Sequence, residues 1–172
     1  MAYRGTDNSI AGWHEDFDMG YASPVPAQSE AVTYLRRMAE AGRPLHVCGH
    51  SKGGNLAAYA AAFSDEATQE QLQDIYSFDG PGLDEAALES EGYARIRPRL
   101  RSYIPQSSVV GLLMGYHTDY TVVHAQQVGI LQHDGLSWQV DGPRFQRDEE
   151  VDAGARILCE GLHSWLKGIS QP

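Results

Sequence analysis

A chain of 172 residues, 42% hydrophobic and 21% charged, has enough apolar material for one core and the make-up of an ordinary globular protein. Its formal net charge of −10 and pI near 5.0 argue against nucleic acid or an anionic membrane held through bulk charge. Two cysteines, Cys48 and Cys159, are too few for a disulfide framework and point to a reducing cytoplasm, and no signal peptide or apolar run of transmembrane length is visible, which argues against stable membrane insertion.

In chain order, Ala2-Tyr3-Arg4 is a short strand stopped by Gly5, and Thr6-Asp7-Asn8-Ser9 is a polar turn. A core strand so close to residue 1 predicts that N-terminal strands of longer relatives are missing, leaving an open sheet edge through which a second copy could pair. Trp13 reads as part of a helical turn and Asp16–Gly20 as a strand. Pro24 and Pro26 interrupt the chain, and a helix begins at Gln28, with Ala31, Tyr34, Leu35, Met38 and Ala39 at three- and four-residue spacing and Gly42 as its stop. Leu45-His46-Val47-Cys48 is a buried strand, and Leu56 to Phe63 is a helix of small residues that packs closely. Asp65–Gln71 adds a helical turn, Asp74–Phe78 is a strand, and Leu83 to Leu88 is a short helix. Leu100–Ile104 is a strand ended by Pro105; Thr121–His124 and Val128–Gln132 read as two strands of a hairpin, with Trp138–Val140 as a third. Val151 to Leu166 is an amphipathic helix. Strands alternating with helices predict an α/β fold with a largely parallel sheet, and without repeats, linkers or low-complexity tracts residues 1–172 read as a single domain.

Between the strand at 45 and the helix at 56 lies Gly49-His50-Ser51-Lys52-Gly53, a Gly-x-Ser-x-Gly motif. In a strand–turn–helix setting this is a nucleophile elbow, whose small flanking residues let the backbone at Ser51 strain and lift its hydroxyl out of the sheet. A serine needs a base and an acid, which on this fold follow in the order Ser, acid, His. His14, His46 and His50 precede Ser51 or adjoin it, and His50 is expected to point elsewhere. His133, opening the loop His133-Asp134-Gly135 after a predicted strand, is the favoured base, with His163 and His124 behind it. Asp79 is the favoured acid because it ends the strand that follows the nucleophile's helix; turn capping also explains it, and Asp119 and Asp134 are fallbacks. The oxyanion donors are the Lys52 N–H, by its place after the nucleophile, and Thr6 after the permissive Gly5. The Lys52 side chain reads as solvated. His117, Asp119 and His124 close no metal ligand set, so no metal or other cofactor is expected.

Tyr3-Arg4-Gly5-Thr6, Trp13-His14-Glu15-Asp16 and Gly49-His50-Ser51-Lys52-Gly53-Gly54 resemble the class 3 lipase group of α/β-hydrolases. That resemblance implies an oxyanion role for Thr6 and a supporting one for Asp16. A fuller resemblance, from Tyr3 to about Val140, is to the Mbeg1-like family of bacterial proteins, through Gly49–Ala57, Phe78-Asp79-Gly80-Pro81-Gly82, Pro105-Gln106-Ser107-Ser108-Val109-Val110-Gly111 and Gln132-His133-Asp134 with Trp138. Two departures from the lipases matter. Their acid follows a later strand, where this chain has Ser107-Ser108; Asp79 stands where they usually have Gly, so the acid reads as moved. Their lid insertion is also missing, because the stretch from Asp16 to Gln28 is short.

The expected activity is hydrolysis of a small, soluble carboxylic ester through a covalent acyl-enzyme, with Ser51, His133 and Asp79 as triad. A thioesterase or acyltransferase would use the same residues, and a non-catalytic binding or assembly module on a hydrolase scaffold is the rival of a different class.

Overall fold

The computed structural model describes residues 1–5, 24–113 and 119–169, with side chains as far as 161. Five strands, β1 (Ala2–Tyr3), β2 (Leu45–His50), β3 (Leu72–Phe78), β4 (Leu100–Pro105) and β5 (Tyr120–Val123), lie side by side in chain order, every neighbouring pair parallel. The helices are α1 (Pro26–Ala39), α2 (Lys52–Phe63), α3 (Glu66–Gln71), α4 (Glu85–Leu88), α5 (Glu91–Ile96) and α6 (Ala153–Ile169). This is the expected α/β architecture. Because consecutive parallel strands run the same way, all their C-terminal ends meet at one edge, where β2 ends at the Ser51 turn and β3 at Asp79.

Side-chain alternation assigns the two faces. Val47, Ile75 and Leu100 are register neighbours and pack with Leu35 of α1, Ala57 and Ala61 of α2 and Ile96 of α5. Ile104 and its neighbour Val122 continue that face and pack against Ala155 and Cys159 of α6. The alanine-rich helix α2 is buried along nearly its whole length. Small side chains let it sit close to β2 and β3, which holds the Ser51 turn against the sheet. The opposite face carries Phe78 and Tyr103, covered by Trp138 and Phe145. Phe145 belongs to a short antiparallel pair, β6 (Val140–Asp141) with β7 (Arg144–Phe145).

Several boundaries differ from the sequence reading. Helix α1 begins at Pro26 rather than Gln28, because a proline in the first turn has no amide to lose and its fixed φ suits a helix. Gln28 instead receives the Val25 N–H at 3.0 Å, as half of a capping box. Helix α5 was not expected; it is six residues long and starts at the Ser90 N-cap. The hairpin reading is corrected. Strand β5 pairs in parallel with β4, while Gly129–His133 is a 3-10 turn. Val128, Ile130 and Leu131 are 79%, 68% and 61% exposed and Gly129 has φ +56°, so this apolar run never becomes a buried strand. The third strand is reduced to β6, and Trp138 makes only an isolated bridge to Ala125. The turn and strand expected between Trp13 and Gly20 lie outside the described residues.

Candidate active site

Ser51 joins β2 to α2 with φ 57° and ψ −133°, a conformation that L-residues rarely adopt. The turn is locked on both sides. The Ser51 N–H donates to the Phe78 carbonyl at 2.9 Å, and the Ser51 carbonyl accepts from the Gly54 N–H at 2.8 Å. A Cβ at Gly49 would lie 2.0 Å from the Gly53 carbonyl oxygen, and one at Gly53 would lie 2.4 Å from that of Tyr3. Both positions therefore require glycine for close approach, as the motif predicts. Gly5 stands beside Ser51, where an added Cβ would meet Ser51 Cβ at 3.6 Å. Thr6 and Asp16 lie outside the described residues. Lys52 opens α2, which puts its N–H at the helix start next to Ser51. Its side chain corrects the solvated reading: Lys52 is 6% exposed, covered by the packing around the turn.

Asp79 ends β3 with φ 46° and is 1% exposed. An isolated buried carboxylate is strongly disfavoured, so its partners decide whether it can stay charged. One oxygen, Oδ2, accepts from His133 Nδ1 at 2.7 Å. The other, Oδ1, accepts from the Ser108 hydroxyl and from the Gly111 N–H at 3.1 Å. The Asp79 N–H donates to the Tyr103 carbonyl at 2.8 Å. The cradle is tight, since a Cβ at Gly111 would come within 2.5 Å of Asp79 Oδ1. Thus the Pro105–Gly111 segment, where the resembling lipases carry their acid and this chain has Ser107-Ser108, hydrogen-bonds the Asp79 carboxylate. Cys159 is affected too: burial, and then the charge of Asp79, push its thiol pKa upward.

A buried polar chain holds the Asp79 turn onto α2, the helix that follows Ser51. Gln28 Nε2 donates to Asn55 Oδ1 at 3.0 Å, and Asn55 Nδ2 donates to the Gly82 carbonyl at 2.6 Å. His133 is fixed from the other side by its neighbour. Gln132 Oε1 accepts the Ser107 N–H at 2.7 Å, Gln132 Nε2 donates to the Gln127 carbonyl at 2.8 Å, and the Gln132 carbonyl accepts Trp138 Nε1 at 2.8 Å. With Nδ1–H given to a carboxylate, the His133 Nε2 is left as the basic nitrogen. No hydrogen bond joins Ser51 Oγ to His133 among the described residues.

The fallbacks have other tasks. Asp134 Oδ1 accepts the Leu136 N–H at 3.0 Å and caps the next turn, while Asp119 pairs with Arg97 at 2.9 Å. His124 Nδ1 is bound to Asp148 at 2.9 Å, and His46 faces Asp74 at 3.2 Å on the surface. His117 and the side chain of His163 lie outside the described residues. Among the described residues no three His, Cys, Asp or Glu side chains converge as a metal site.

The residue missed from sequence is His50. Rather than pointing elsewhere, its Nε2 lies 2.7 Å from the His133 carbonyl oxygen, and the two rings stand 4.6 Å apart at 37°. Strand alternation held a signal: His50 is the register neighbour of Phe78, so it emerges on the face covered by the segment that follows His133. A cavity of about 370 Å³ opens there, lined by His50, Phe78, Gly135, Leu136, Trp138 and Phe145 among others.

The family model of the Mbeg1-like proteins matches residues 1–172. Among curated proteins, none matches the chain.

Proposed function

This chain belongs to the Mbeg1-like family, and within it we propose that the chain is a serine hydrolase of carboxylic esters. The observation that carries this reading is the buried Asp79 carboxylate on His133 Nδ1 at 2.7 Å, beside the strained strand-to-helix turn that presents Ser51. A histidine oriented by a buried carboxylate is the arrangement that serine activation needs.

In the proposed reaction Ser51 Oγ attacks the ester carbonyl carbon as His133 Nε2 takes its proton. Asp79 stabilises the imidazolium and does not itself take the proton. The tetrahedral oxyanion forms beside the Lys52 N–H at the start of α2, with Thr6 as the second donor. The C–O bond to the alcohol then breaks, and the imidazolium returns its proton to the leaving oxygen. Water attacks the acyl-enzyme by the same route, releasing the acid and restoring Ser51. A small-molecule ester and the chain's own side chains suffice for this chemistry.

The test is covalent labelling with a fluorophosphonate probe. The folded protein is expected to label at Ser51, and Ser51→Ala to abolish labelling without loss of fold. A folded wild-type protein that neither labels nor cleaves p-nitrophenyl esters overturns the reading, and favours a binding module on the same scaffold.

A further inference from the structure

We propose that His50 is a positioning residue that ties the peptide of the base, His133, to the strand bearing the nucleophile; this rests on the reading of Ser51, His133 and Asp79 as a triad. Two independent contacts support it. His50 Nε2 lies 2.7 Å from the His133 carbonyl oxygen, and the rings pack at 4.6 Å. A carbonyl oxygen only accepts, so Nε2 is the donor and neutral His50 carries its proton there.

The need for such a tie follows from where His133 sits. The Gly129–His133 and Gly135–Ser137 turns form a surface connection, and Val128, Ile130, Leu131 and Leu136 all point into solvent. A stretch with so little buried apolar area opens readily. Gln132 anchors the residue before His133, and Asp79 holds the ring. Among the described residues, only the bond to His50 holds the His133 carbonyl itself. Because His50 and Ser51 are consecutive, and β2 is a rigid inner strand, that bond refers the base directly to the nucleophile. Asp79 fixes the orientation of the ring; His50 fixes the distance between base and nucleophile.

The experiment compares wild type, His50→Leu, His50→Gln and His50→Asn on p-nitrophenyl butyrate. His50→Leu keeps apolar bulk and removes the donor. His50→Gln carries an amide N–H that can reach the carbonyl, and the shorter Asn cannot. The expected result is a drop in kcat of about 10- to 100-fold for Leu and Asn, the scale of a misplacement near 1 Å, with KM changed by less than about twofold. Gln should recover most of the loss. If Leu or Asn keeps kcat within about twofold of wild type, or if Gln is no better than Asn, the proposal is overturned. Should Leu fail to fold, the Gln and Asn pair decides. A readout independent of turnover is the NMR resonance of the His133 Nδ1 proton, assigned by its loss in Asp79→Asn. It should exchange with solvent faster in His50→Asn and be restored in His50→Gln; an unchanged rate in His50→Asn overturns the proposal even in a protein with no esterase activity. Loss of wild-type labelling with intact NMR coupling instead counts against the hydrolase reading alone.

Discussion

Ser51 and Asp79 are the two non-glycine residues with positive φ among those described, at 57° and 46°. Both sit at the C-terminal ends of inner strands and both carry proposed reactive roles, so backbone strain supports the proposed site independently of the motifs. Relief of that strain is measurable. Ser51→Gly should raise unfolding free energy in urea by up to about 1–3 kcal/mol while abolishing fluorophosphonate labelling. A fall in stability would mean that the Ser51 conformation is not strained. Asp79→Asn should fold, since asparagine tolerates left-handed backbone, yet lose about 10⁴-fold in kcat because the amide favours the wrong histidine tautomer. Full esterase activity in that variant would remove Asp79 from the triad. Ser108→Ala tests the cradle: it deletes a hydrogen bond to a buried charged group and should lower stability by about 1.5–3 kcal/mol. Sequence favoured Asp79 as acid but left a turn cap open, because the same Asp-Gly-Pro-Gly string serves both ends. The partners at Oδ1 and Oδ2, Ser108, Gly111 and His133, are what the proposed acid role rests on.

At the level of elements, the active turn depends on helix α2 touching both β1 and β2. Gly53→Ala places a Cβ 2.4 Å from a backbone oxygen of Tyr3, which cannot rotate away. It should lower stability by about 1–3 kcal/mol or more, and shift the end of β1 that lies beside Ser51. Labelling at wild-type rate in a stable Gly53→Ala protein would contradict that coupling. Helix α3 offers a control far from the site. Asp65 caps it by accepting the Thr68 N–H at 2.9 Å, and this backbone hydrogen bond is the main cause that lowers the Asp65 pKa. A depressed carboxyl pKa means stability present above the unfolded value, near 3.9 for aspartate, and lost as pH falls through the folded value. Asp65→Ala should therefore lower stability at neutral pH by about 0.5–2 kcal/mol, with the difference shrinking below pH ~4 and esterase activity untouched. A deficit that persists unchanged in acid would point to packing instead. Periodicity made α1 and α6 legible in advance, and the small-residue run after the Ser51 turn did so for α2. Periodicity failed at residues 128–132, where an apolar run reads alike whether it is buried or lies on the surface.

Over the whole molecule, the parallel sheet gathers its functional ends along one edge, but not with equal security. Strands β2 and β3 are paired on both sides and backed by α2. The segment that carries His133 is held by polar bonds to the 105–108 loop, to Trp138 and to His50, with its large apolar side chains exposed. Hydrogen exchange should follow that difference. Amides of β2, β3 and β4 are expected to exchange at the rate of global unfolding, and those of 129–137 well before, with slowing in the latter when a fluorophosphonate adduct occupies Ser51. Equal protection in both regions would contradict the view that the base rides on a weakly packed segment. Among the described residues no helix is long and apolar enough to cross a membrane.

Local chemistry was readable directly from the chain. The glycines around Ser51, the proline and glycine punctuation, and the strand–helix alternation are consequences of sterics within a few residues, so sequence alone determined the α/β class and the strand–turn–helix at Ser51. Register and long-range contact were not readable. That Ser108 and Gly111 close on Asp79, that Gln132 and Trp138 hold the peptide before His133, and that His50 turns back onto His133 involve partners 25 to 83 residues apart or folded across a turn. Such contacts arise only when the parallel sheet brings the ends of β2, β3 and β4 into one row, because hydrogen-bond partners are chosen by distance in space and the chain records only distance along itself.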